Sequence, residues 1–194
     1  MQHQSAPHHN SWHLRDVILI TIMAIFMGII FFAVGFLYNG LTLLLTPFGL
    51  APFANDALLG LWTMAGPLAA FMLRKVGSAT IGELLASAVE AIIGGQWGPS
   101  TLLSGFIQGF GSELGFAFTR YRRYDLWSLS LSAVTTAIVT FIWDLARSGY
   151  SAFHPGMLIG LFTTRVISMW LFGGLLVAAV TKLLDRSHLL DRRA

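Results

Sequence analysis

Five ionisable side chains lie inside long apolar stretches of this 194-residue chain: Glu83, Glu90, Glu113, Asp144 and Arg165. Charge in a hydrocarbon environment is costly and rare, so each is a functional candidate. Glu83 and Glu90 stand seven residues apart and share one face of a helix. At the helical rise, Glu90 falls near the outer end of its segment and Glu83 about 10 Å deeper. Arg165 can pair with Glu113 or Asp144, yet one arginine cannot neutralise four carboxylates. A site that keeps even one carboxylate ionised, and opens outward, suits a cationic or hydrogen-bond-donating ligand.

Aromatic and amide side chains gather toward the same end of the apolar segments. They are Tyr38, Asn39, Trp62, Gln96, Trp97, Trp143 and Tyr150. Aromatic faces hold cations and flat heterocycles, and the indole does so best. Gly94, Gly95 and Gly98 let backbone approach closely there, and Pro99 is suited to begin a helix. The material for enzyme chemistry is thin. There is no cysteine, hence no thiolate nucleophile or thiolate metal site. No P-loop, nucleotide fingerprint or His-Glu-x-x-His zinc motif occurs. Beyond an N-terminal tail that holds His3, His8, His9 and His13, only His154 and His188 remain, too few to serve a Ser–His hydrolase. No catalytic residue, cofactor or metal site is expected.

The elements that position these groups follow from composition. Hydrophobic residues make up 55% and charged residues 11%, and the mean hydropathy is +0.70. Soluble domains carry about 25% charged residues, so this chain cannot clothe a water-facing surface. The pattern predicts an all-α integral membrane protein. Residues 1–16 form a polar tail, 17–184 a six-helix membrane domain, and 185–194 a basic tail. The spans are expected at Val17–Tyr38 and over 57–73, 79–94, 101–119, 127–146 and 157–184. Asn39, Gly40, Pro47, Gly49, Pro52 and Asn55 predict a long apolar external loop between the first two helices.

Lys and Arg counts orient the spans. Arg15, Arg74, Lys75, Arg120, Arg122, Arg123, Lys182, Arg186, Arg192 and Arg193 fall on one side and Arg147 alone on the other. Both termini are therefore expected in the cytoplasm. The pI near 9.7 then reflects topology rather than nucleic-acid binding. Trp12 and Trp127 fall at the inner interface. Ala24 and Gly28 in the first span, and Gly105 and Gly109 in the fourth, are small-residue pairs that permit close helix contact.

Several stretches together resemble a known family. They are Trp12–Asp16, Ala-Ile-Phe-Met-Gly-Ile-Ile-Phe-Phe (24–32), Glu-Leu-Leu-Ala-Ser-Ala-Val-Glu (83–90) and Gly-Gly-Gln-Trp-Gly-Pro (94–99). The likeness runs from about Trp12 to Asp185 and is to S components, the substrate-binding subunits of energy-coupling factor vitamin transporters, of the YkoE type. The resemblance implies a subunit in a prokaryotic plasma membrane that binds thiamin or its hydroxymethylpyrimidine moiety from outside. It also implies docking on a transmembrane coupling subunit served by two cytoplasmic ATPases. The docking face would include Ala24 and Gly28, where the family carries Ala-x-x-x-Ala. The ligand groups would be Glu83, Glu90, Trp97, Gln96, Asn39, Trp62, Trp143, Asp144 and Tyr38. Carboxylates would meet the aminopyrimidine and offset the thiazolium charge, and indoles would stack on the rings. The alternative is a self-sufficient proton-coupled carrier or channel, in which the intramembrane acids relay protons.

Overall fold

A computed structural model describes residues 11–186; residues 1–10 and 187–194 of the two expected tails lie outside the described residues. Every regular element among the described residues is helical. They are α1 (Leu14–Leu45), α2 (Pro52–Trp62), α3 (Ala65–Leu73), α4 (Ser78–Ile92), α5 (Ser100–Phe118), α6 (Leu126–Arg147), α7 (Pro155–Met169) and α8 (Val177–Arg186). A π-helical segment, Trp170–Leu176, joins α7 to α8, and single 3-10 turns sit at Thr46–Phe48 and Tyr150–Ala152.

The first connector is much shorter than expected. α1 continues through Asn39 and Gly40 to Leu45, and α2 begins at Pro52, so no long external loop separates them. A lone Asn-Gly in a run of good helix formers costs only about 1 kcal/mol and does not stop a helix. Pro47 does stop it, and Gly49 reverses the chain at a φ of 70°. Asn55 and Asp56 thereby become residues of α2.

The second segment, expected as one span over 57–73, breaks at Thr63 and Met64 into α2 and α3. Pro67 explains the break, because its ring cannot coexist with a helical carbonyl at Thr63. The amide of Gly66, in the first turn of α3, is left without a helical acceptor and donates to Glu83 Oε2 at 2.6 Å. Glu113 does similar work for α4. Its carboxylate accepts from the amides of Gly77 (2.7 Å), Ala79 (2.9 Å) and Thr80 (3.1 Å), which the start of a helix always leaves unpaired. Neither acid is therefore idle, and Glu113 is no partner of Arg165.

α1, α4, α5, α6, α7 and α2 contact one another in that order and close a ring, with α3 touching α1, α4, α5 and α8 inside it. Small residues set the closest approaches. A Cβ on Gly28 would lie 2.6 Å from Val89 Cβ and 2.7 Å from the Ala86 carbonyl oxygen. Gly105 and Gly109 meet Ser87, Thr80 and Glu83 on α4, while Gly111 and Gly115 meet Thr136 and Ser132 on α6. Ala24 is only 2% exposed. Gly28 thus faces α4 inside the chain, and Ala24, on the same helix, is buried. Outward faces are apolar, with Ile22, Ile25, Phe26, Ile29 and Phe36 of α1 exposed.

Among the described residues, four helical segments are long and apolar enough to cross a membrane: Leu14–Phe48, Pro52–Leu73, Leu126–Arg147 and Pro155–Leu184. α4 has 15 residues, about 22 Å of helix against a hydrocarbon core of about 30 Å.

Candidate functional site

One end of the ring encloses a cavity of about 530 Å³. It lies where α1 and α4 end, α2 and α5 begin, and α6 turns toward α7. This size suits a small organic ligand.

Tyr38, Trp62 and Trp97 form one wall, each ring against the other two. Centroids are 5.8 Å apart for Tyr38–Trp62, 5.4 Å for Tyr38–Trp97 and 5.1 Å for Trp62–Trp97. The indole of Trp62 cannot turn freely, because its Nε1 donates to the Phe31 carbonyl at 3.0 Å. Trp97 is brought in by the turn that follows α4. The Gly95 amide donates to the Glu90 carbonyl at 2.9 Å, and Gly94 and Gly98 adopt φ values of 100° and 54° that other residues resist.

Glu90 lines the cavity and is 2% exposed. No cation stands within ion-pair distance of it among the described residues. Its carboxylate is thus the one acidic group of the cavity without a partner charge.

The opposite wall rests on Arg165, which is fully buried. Its guanidinium bonds Asp56 on α2 and Asp144 on α6, each at 2.5 Å, and Thr140 Oγ1 at 3.2 Å. The rings of Phe141 and Tyr150 lie 5.1 Å and 5.8 Å from it. Tyr150 donates to Asp56 Oδ2 at 2.9 Å, and Ser148 donates to Asp144 Oδ1 at 2.7 Å. Burial, then the negative charge of Asp56, pushes the Tyr150 phenol above its ordinary range, so it remains a donor. Such a network pins α2, α6 and α7 together, and only Asp144 of its two acids reaches the cavity. Arg147, at the cavity mouth, lies over the Trp143 ring at 5.3 Å.

Of the expected ligand residues, Tyr38, Trp62, Glu90, Trp97, Trp143 and Asp144 line this cavity. Three do not. Glu83 is fully buried and caps α3, while Asn39 and Gln96 are exposed and are not part of the lining. Asp56 adjoins Asn55 of the expected loop and carries no sequence signal of its own, because its role appears only once α2 starts at Pro52 and packs on α7. Ser104 and Gln108 line the cavity from α5 with Thr101. Their spacing of three and four residues, a polar stripe on an apolar helix, is a signal the sequence does carry. Among the described residues no three His, Cys, Asp or Glu side chains converge as metal ligands would.

Residues 15–139 match the family model described as "ABC-type cobalt transport system, permease component". The chain is 32% identical to the Bacillus subtilis (strain 168) protein named "Putative HMP/thiamine permease protein YkoE", over 95% of this chain and 90% of that one. It also superposes on a solved structure titled "Crystal structure of an S-component of ECF transporter". There the TM-score is 0.87 and the identity 32%, over 95% of this chain and 91% of the other. A helical chain with this cavity, this extent of match and membrane-crossing segments belongs to that permease-component family, as a multi-pass S component of an energy-coupling factor transporter of the YkoE type.

Proposed function

We propose that this S component captures thiamin, or its hydroxymethylpyrimidine moiety, from the outer face of a prokaryotic plasma membrane. Uptake is then driven by ATP through a transmembrane coupling subunit and two cytoplasmic ATPases. The observation that carries the reading is the unpaired Glu90 carboxylate beside the Tyr38–Trp62–Trp97 wall. A carboxylate can accept from the exocyclic amine of an aminopyrimidine or offset a thiazolium charge, and the rings supply stacking faces. Asp144 is a weaker candidate for that work, because Arg165 and Ser148 already occupy its two oxygens. The family description names cobalt. Aromatic and hydroxyl-bearing walls without converging metal ligands suit a flat organic ligand better.

Six crossings with both termini in the cytoplasm go with this reading, and they put the cavity on the outer side. Tryptophan fluorescence of the detergent-purified protein tests it, since three of the chain's six tryptophans line the cavity. Saturable change with nanomolar to low-micromolar thiamin or hydroxymethylpyrimidine is expected. No response to either at millimolar concentration overturns it.

A further inference from the structure

Hydroxyls on membrane helices usually find an acceptor on their own helix, and most here do. Thr21 donates to the Val17 carbonyl at 2.7 Å, Thr136 to Ser132 at 2.6 Å, Thr163 to Ile159 at 2.7 Å and Thr181 to Val177 at 3.0 Å. Thr101 and Thr42 depart from this. The Oγ1 of each is buried and has no hydrogen-bond partner, and both residues line the cavity. Thr101 is 6% exposed overall. Its neighbour Ser100 shows that a local acceptor is within reach of the first turn of α5, donating to the Trp97 carbonyl at 2.7 Å. Thr42 sits one turn beyond Tyr38 on α1, and the carbonyl of Thr42 itself accepts from Thr46 at 2.6 Å.

A buried hydroxyl without a partner costs about 1–3 kcal/mol. Two of them at one cavity, where most helix threonines bond a carbonyl of their own helix, mark positions whose partner is supplied from outside the chain. We infer that Thr101, with Thr42, is a hydrogen-bonding group for the bound ligand and helps set its specificity. The inference rests on the functional reading above and deepens it. A threonine hydroxyl both donates and accepts and carries no charge. The moiety it meets is a polar edge that can donate or accept, such as a ring nitrogen, an amine or an alcohol. Glu90 answers the cationic or donor-rich part of the same molecule. The two kinds of contact select for a compound that carries both.

The test sets two readouts against each other. In Thr101→Val and Thr42→Val the shape is kept and the hydroxyl is lost. Each variant is purified whole in detergent and followed by thermal unfolding without ligand, then titrated calorimetrically with thiamin and with hydroxymethylpyrimidine. The unliganded midpoint should stay level or rise, because an unsatisfied polar atom has been removed. Affinity for at least one of the two compounds should fall about tenfold in Thr101→Val, with a smaller fall in Thr42→Val. Thr101→Ser should restore it. Affinities within twofold of the parent in both valine variants overturn the assignment while leaving the functional reading intact. So does a valine variant that unfolds or loses several degrees, since the hydroxyl would then have an internal role. A parent protein that binds neither compound overturns the functional reading and this assignment with it.

Discussion

At the scale of single residues, the cavity separates acids that look alike in the sequence. Glu83 is occupied at the start of α3, Glu113 at the start of α4, and Asp56 and Asp144 by Arg165. Glu90 alone faces the cavity without a partner. Replacing Glu90 by Gln should weaken thiamin binding at least tenfold, about 1.4 kcal/mol, and leave the thermal midpoint close to the parent's. Trp97→Ala should have an effect of similar size, read by calorimetry so that the lost indole does not confuse the signal. Unchanged affinity in both variants would remove the Glu90–Trp97 side from the site. Arg165 behaves differently. Arg165→Met strands two carboxylates in a buried setting and should destabilise by about 3–5 kcal/mol, whereas Asp56→Asn leaves the Asp144 pair and costs less. Thermal unfolding of the two variants checks that order. A milder loss in Arg165→Met than in Asp56→Asn would mean the arginine is not what holds α2, α6 and α7.

At the scale of elements, small residues decide how closely the ring can close. Gly28 of α1 has no room for a side chain, with Val89 and Ala86 of α4 within 2.7 Å of where its Cβ would be. Gly28→Leu should therefore lower the thermal midpoint and weaken ligand binding too, because Val89 adjoins Glu90. Binding at parental affinity with impaired uptake alone would instead assign Gly28 to a docking face. The sequence carries the membrane class, the all-helical architecture, and the aromatic and acidic character of the cavity, because burial in lipid writes itself in composition. It does not carry the helix break. Pro67 announces a disturbance, but only the contact of Gly66 with Glu83, seventeen residues along, shows which acid answers it. Asn39–Asp56 misleads for the opposite reason. Its Asn, Gly and Pro residues read as one loop, whereas Pro47 and Gly49 alone make the turn and Pro52 already starts a helix. The pairing of Arg165 is likewise out of reach, since Asp56 lies 109 residues away and joins the arginine only when α2 packs on α7.

At the scale of the whole molecule, the two ends of the ring are chemically opposite. Away from the cavity, the α3–α4 and α5–α6 connectors carry Arg74, Lys75, Arg120, Arg122 and Arg123. Lys75 is drawn in under the N-terminal segment, bonding the Ser11 carbonyl and Asp16 and lying 5.9 Å from the Trp12 ring, while Arg74 lies 5.4 Å over Tyr124. At the cavity end, the α6–α7 side brings only Arg147, held over Trp143. Cationic segments stay in the cytoplasm during insertion, so the cavity should open outward. The absence of cysteine makes a direct test simple. Arg122→Cys and Ser151→Cys place one thiol in an exposed connector at each end. A membrane-impermeant maleimide should label Ser151→Cys in intact cells and Arg122→Cys only after lysis. The reverse pattern would put the cavity on the cytoplasmic side. An S component facing that way could not gather its ligand from the medium, and Glu90 and the aromatic wall would have to serve release or export instead.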